Sequence, residues 1–214
     1  MSDDIDTGEL MEVLDEGGLP AELVDSDTED FAQQIADSVA SFLLALREIA
    51  REGDAGRAIP LLLLEITQIS LAGARLGAQR DFTPRAEYQP DVGPESDLDE
   101  MRLRLAEMLD SIDTYCYVFD PYVPEVVESQ LSDDVTLIAT DLETGLRHYR
   151  SGDIEEALWW WQFSYVSSWG NLAGVALNAL LSVVSHDRLD NEFTGEDEDL
   201  AAVDEILGSE SPLT

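Results

Sequence analysis

The sequence predicts an all-α fold, a single helical bundle of five to six helices packed as antiparallel hairpins. Three observations carry this. Apolar residues recur at helical spacing through most of the chain, as in Phe31, Ile35, Val39, Phe42, Leu46 and Ile49. Residues 157–185 form 29 consecutive positions without a charge, in a chain of formal net charge −36, and hold all four tryptophans. One turn is echoed: Arg51-Glu52-Gly53-Asp54 and Ala58 reappear as Arg150-Ser151-Gly152-Asp153 and Ala157, matching at Arg, Gly, Asp and Ala.

The first helix carries the Phe31–Ile49 stripe, with Ser26, Asp27 or Thr28 available to cap its start and Gly53 to end it. A second runs from about Arg57 to Leu76, with Pro60 tolerable in its first turn, and its Leu61–Leu64 block is apolar all round, which suits a central helix. Pro84, Pro90, Gly93 and Pro94 then make residues 80–95 an extended loop. Ser96, Asp97 and Glu100 open a third helix, expected to run through Leu98, Met101, Leu105, Met108, Ile112 and Tyr115 until Pro121 biases Asp120 away from helix. Ser132 is the expected cap of a fourth helix, which carries Val135, Ile138, Leu142, Leu146 and Tyr149 on one face. The Ser151-Gly152-Asp153 turn leads into the long uncharged fifth helix, and no segment reads as a confident strand.

Glycine supplies the left-handed end of one helix, aspartate caps the next, and a small alanine lets the two approach. That is the turn chemistry of tetratricopeptide-like (TPR-like) hairpins, and 145–164 resembles one such hairpin. Only two copies occur and no 34-residue period links them, so hairpins within a bundle are expected rather than a solenoid.

An uncharged run of this length fits either a bilayer or a packed interior. Ser164, Ser168, Asn171, Asn178, Ser182 and Ser185 step by three, four or seven and draw one polar stripe, and the flanks lack an Arg asymmetry that would set an orientation. A buried helix of a cytoplasmic protein is the expectation, with no membrane partner. Residues 1–30 carry twelve acids and no base, and 187–214 carry ten acids against Arg188 alone. Residues 1–27 and 189–214 are therefore expected to be flexible acidic arms around an all-α domain at 28–188. The sign of the charge disfavours nucleic acid as a partner. Every base but the two histidines is arginine, a bias typical of high-GC or salt-adapted proteomes. The lone Cys116 excludes an internal disulfide and reads as a small core residue of the third helix.

Phe119-Asp120-Pro121-Tyr122, Leu131-Ser132-Asp133-Asp134, Asp141-Leu142, Gly145-Leu146, Gly152, Ala157, Trp159, Trp161, Phe163-Ser164, Trp169-Gly170 and Ala173 occur in an order and spacing that few helical bundles would share. On these residues the chain resembles an uncharacterised, mainly bacterial family, domain of unknown function 5063. The resemblance implies a fold and no established reaction. It also implies histidines where Ser168 and Leu172 stand and an arginine where Gln162 stands, so a polar or metal site of relatives would lack its ligands here.

Chemistry-bearing patterns are sparse. His148 and His186 lie on different helices without metal-ligand spacing, so no metal and no cofactor is expected. Asp133, Asp134 and Asp120 could gather if their loops met, although capping and turn formation account for Asp133 and Asp120. Arg75, Arg80 and Arg85 suit compensation of a helix C-terminus, or more remotely an anion site. Trp161, Tyr165 and Trp169 share a face, as a core or as a hydrophobic groove with Ser164, Ser168 and Asn171 as polar handles. Gly170 and Gly174 would permit close helix contact. The candidate ligand- or partner-binding residues are thus Trp161, Ser164, Tyr165, Ser168, Trp169 and Asn171, joined by Asp120 and Tyr122. Three functions follow: a non-catalytic interaction protein with a protein partner, a small-ligand binder or enzyme with its site beside the fifth helix, or an acidic decoy of a nucleic-acid-binding surface. No catalytic residue is assigned, and oligomeric state is not legible.

Overall fold

The computed structural model describes residues 25–84, 90–94 and 96–208, with side chains described as far as Leu189. Helix α1 (Ser26–Glu52) is capped one residue earlier than the sequence suggests: Asp25 accepts the Thr28 backbone N–H at 2.9 Å and its hydroxyl at 3.0 Å. It ends as expected at Gly53, whose φ of 67° a side chain would resist. Asp54 accepts the Gly56 N–H and opens α2 (Ala55–Gly77), in which Pro60 falls in the second turn. The two helices bury facing stripes, Ile35, Val39, Phe42 and Leu46 against Leu62, Ile66, Ile69 and Leu76.

Helix α3 (Asp99–Leu109) is shorter than its apolar spacing implies. It ends at Asp110, held at a φ of 45°, and the chain then enters a β-hairpin, β1 (Thr114–Asp120) and β2 (Val123–Gln130). Tyr115 and Cys116, expected on the third helix, are strand residues, and Cys116 is exposed rather than in the core. The reason is local. Alternating aromatic and β-branched residues favour a pleated ribbon once Asp120-Pro121 supplies a reverse turn. Asp120 accepts the Tyr122 N–H at 2.8 Å, and Phe119 forms a bulge between the Val118–Val126 and Asp120–Val123 pairs. The protein remains mainly α-helical, with this one small antiparallel sheet among the described residues.

Helix α4 (Leu131–Arg150) starts on Asp113 rather than on a cap of its own. Asp113 accepts the Ser132 N–H at 2.8 Å and its hydroxyl at 2.9 Å, so Ser132, the expected cap, is itself the buried recipient. Gly152, at a φ of 88°, and Asp153 then turn the chain into α5 (Ile154–Ser164) as the echoed motif predicts. The uncharged run is not one regular helix. Tyr165–Trp169 are wound as a π-turn, and α6 continues from Gly170 to Gly208. Residues 189–208, assigned from sequence to the acidic tail, thus extend α6, while 1–24 and 209–214 lie outside the described residues. Helix α2 and the run Ile154–Leu189 are each long and apolar enough to cross a membrane by length and composition alone. Here both pack against each other, burying Leu62, Ile66, Trp161, Trp169, Ala176 and Leu180.

Candidate interaction surface

The tryptophan cluster divides into an interior and an exposed part. Trp161 and Trp169 are fully buried. The Trp161 indole N–H donates to the Leu142 carbonyl at 3.0 Å and sits against Gly145, where any Cβ would collide with the ring. Tyr165 fills the equivalent gap on the other side, wedged between Gly73 and Gly77 of α2 and meeting Trp169 edge-on at 4.8 Å. Gly170 makes room for the Tyr165 carbonyl within the π-turn, whereas Gly174 faces open space. The close approaches expected of Gly170 and Gly174 are thus made to α2 and α4 by Gly73 and Gly145 instead.

The polar stripe does not converge. The buried Ser164 hydroxyl donates back to the Trp160 carbonyl at 2.7 Å, Ser168 donates to Asp141 Oδ2 at 2.8 Å, and Asn171 is exposed. The π-turn is the cause, since five residues occupy what would otherwise be little more than one turn and the stripe changes face. Asp141 was not singled out by the sequence. Its carbonyl accepts the Trp160 indole N–H at 2.8 Å, and burial raises its carboxyl above the usual carboxylate range against the opposing Ser168 bond. Gln162 was also missed. Buried in α5, it accepts the Phe82 N–H at 2.8 Å and donates to the carbonyls of Leu76 and Arg80 at 3.0 and 3.1 Å, which closes the end of α2 and fixes the chain beyond it. A glutamine amide inside an uncharged apolar run was the available signal.

The arginines have structural partners. Arg75 lies over the Phe31 ring at 5.4 Å and donates to Gln34, and Arg80 serves through its carbonyl; Arg85 is outside the described residues. His148 is buried in α4 with its Nδ1 unpartnered, and burial pushes its pKa down. Asp120 and Asp134 occupy opposite ends of the hairpin, so the carboxylates do not gather, and no group of three metal-ligating side chains occurs among the described residues.

Two surfaces remain. At the hairpin base, Tyr115 donates to Asp134 Oδ2 at 2.6 Å and Ser129 to Oδ1 at 3.1 Å, while burial raises the Asp134 carboxyl and drives the Tyr115 phenol far above its ordinary range. This network pins the root of the ribbon to α4. A cleft of about 360 Å³ separates β1 from α6, lined by Tyr115, Cys116, Tyr117, Asn178, Ser182 and His186. Beyond the root the hairpin carries its apolar side chains outward: Val118, Phe119, Val123 and Val126 are all exposed, and Tyr122 is 94% so. Of the eight sequence candidates, Asp120 and Tyr122 meet at this tip, and the other six are distributed between core, buried hydrogen bonds and open helix surface.

Fold and surface together define a mainly α-helical protein with a protruding two-stranded ribbon. The chain belongs to the family described as Domain of unknown function (DUF5063), whose model matches residues 26–186. Among solved structures it is similar to protein BF1032 from Bacteroides fragilis, at 16% identity and a TM-score of 0.59, covering 72% of this chain and 92% of that one. That likeness concerns the fold. No curated protein matches the chain.

Proposed function

We propose that this protein is a non-catalytic, cytoplasmic interaction module that holds a protein partner through its β-hairpin. The observation that carries the reading is the exposed apolar tip, Val118, Phe119, Tyr122, Val123 and Val126, on a ribbon whose root is fixed by the Tyr115–Asp134 and Asp113–Ser132 bonds. Exposed aromatic and branched side chains on a pre-ordered element cost little further entropy when they bind, and aromatic anchors dominate interface energetics. The test compares capture from native lysate by the wild-type chain and by a Tyr122→Ala/Val126→Ala variant whose circular dichroism is unchanged. A specific protein retained only by the wild type supports the module. Equal retention by both removes the hairpin from the function.

A second reading, small-ligand binding, is favoured by the β1–α6 cleft, where Asn178, Ser182 and His186 of the uncharged run meet Tyr117 and Cys116. Thermal-shift screening of wild type against Asn178→Leu separates it, because a ligand of the cleft stabilises only the former.

A further inference from the structure

The sheet has only two strands, so each has an unpaired outer edge. That of β1 faces the cleft against α6. That of β2 is open: residues 123–128 are all exposed. An open edge presents backbone N–H and C=O groups ready to pair with another extended chain. Pro124 has no N–H, so the usable donor edge starts at Glu125 and reads Glu125-Val126-Val127-Glu128. Strand alternation and the pairing register put Val126 and Glu128 on the face shared with Val118 and Cys116, and Glu125 and Val127 on the opposite face beside Tyr117. Each face of the edge therefore offers one valine and one carboxylate.

We propose that the β2 edge binds an extended protein segment of pattern basic–apolar–apolar–basic, added as a third strand. This rests on the hairpin-docking reading above and names the partner's chemistry. The four-residue edge is a palindrome, so such a segment matches it in either direction, with each cation beside a glutamate and each apolar side chain beside a valine. Charge chooses this occupant. Residues 114–130 hold Asp120, Glu125 and Glu128 and no base, and the whole chain carries −36. A second copy added antiparallel would set Glu125 against Glu128 twice, in the field of two strongly acidic chains, which opposes self-pairing. An acidic partner meets the same repulsion.

The probe is a fluorescein-labelled Gly-Thr-Arg-Val-Val-Arg-Thr-Gly peptide titrated into the full chain, with Gly-Thr-Glu-Val-Val-Glu-Thr-Gly as control and amide exchange followed by NMR. The basic peptide should bind and slow exchange at the β2 edge. Glu125→Gln/Glu128→Gln, both exposed positions, should weaken it about fivefold or more, in keeping with the loss of two cross-strand charge pairs, and the acidic peptide should not bind. Protection spread over the helices, equal affinity for the Gln variant, or a concentration-dependent dimer built on this edge overturns the proposal. Absence of binding does so too, and leaves the two glutamates as guards against edge pairing. If lysate capture still depends on Tyr122 and Val126 in any of these cases, the hairpin module survives and only the charge-matched edge falls; if capture is also lost, both do.

Discussion

The indole of Trp161 lies flat in the space left by the missing side chain of Gly145, and its N–H reaches the Leu142 carbonyl at 3.0 Å. Helices α4 and α5 meet there as closely as a backbone and a large ring allow. Both halves of the contact are needed, because the ring fills the gap and the glycine creates it.

Gly145→Ala should therefore be severely destabilising although alanine is the better helix former. The propensity gain is about 1 kcal/mol, while overpacking of a well-filled core typically costs about 1–3 kcal/mol and more where a rigid ring cannot move. Trp161→Ala should cost about 3–5 kcal/mol through the cavity and the lost hydrogen bond. Ser168→Ala, losing one bond to a partly buried Asp141, should cost only about 1 kcal/mol. Urea denaturation of the three variants gives the ranking. A Gly145→Ala chain as stable as wild type would show that α4 and α5 can separate freely.

Gln162→Leu keeps the volume and removes three hydrogen bonds, leaving the Leu76 and Arg80 carbonyls and the Phe82 N–H without that partner. A loss of about 2–3 kcal/mol is expected, with faster amide exchange confined to the end of α2 and the residues after it. Uniformly faster exchange would mean that Gln162 supports the whole core and not this junction.

His148 should give the fold a pH dependence on the acid side of neutrality. Burial, the largest influence, lowers its pKa in the folded state, and Arg147 adds to this while Asp153 opposes it. The unfolded chain then binds a proton that the folded one refuses, so stability is full above the ordinary histidine pKa near 6.5 and falls as pH drops below it towards the folded value. Melts of wild type and His148→Gln between pH 7.5 and 5.5 measure the slope. The variant should be flatter, and an unchanged slope would assign the effect elsewhere.

Added salt should raise the melting temperature. With 47 acids against 11 arginines, self-repulsion acts over about one Debye length, roughly 10 Å at 0.1 M and 3 Å at 1 M. Surface pairs such as Arg51–Glu48 lose strength in salt but contribute little to begin with. Melts from low to molar NaCl decide, and a falling melting point would mean that the ion pairs outweigh the repulsion.

The helical frame was legible because its punctuation is chemical. Gly53-Asp54 and Gly152-Asp153 each combine a residue tolerant of positive φ with a capping carboxylate, and both turns occur where the sequence marks them. The hairpin was not, because Leu105, Met108, Ile112 and Tyr115 continue a helical period across the point where the chain leaves the helix. Tyr115, Tyr117, Phe119, Val123, Val126 and Val127 around Asp120-Pro121 were the competing strand signal. The site beside the uncharged run was least legible. Its polar stripe assumes a regular helix, and the π-turn at Tyr165–Trp169 sends Ser164 inward, Ser168 to Asp141 and Asn171 to solvent. The Asp113 cap on α4 is invisible to any local reading, since donor and acceptor stand 19 residues apart.

That last bond makes the order of folding matter. A helix whose first turn is capped by a residue upstream of a hairpin gains its cap only after the ribbon has doubled back, so nucleation of α4 and zippering of β1 with β2 become one cooperative event. The coupling also runs in reverse in the finished molecule: a pull or twist on the ribbon tip arrives at the Asp113 carboxylate and hence at the first turn of α4, giving the hairpin a mechanical line into the bundle.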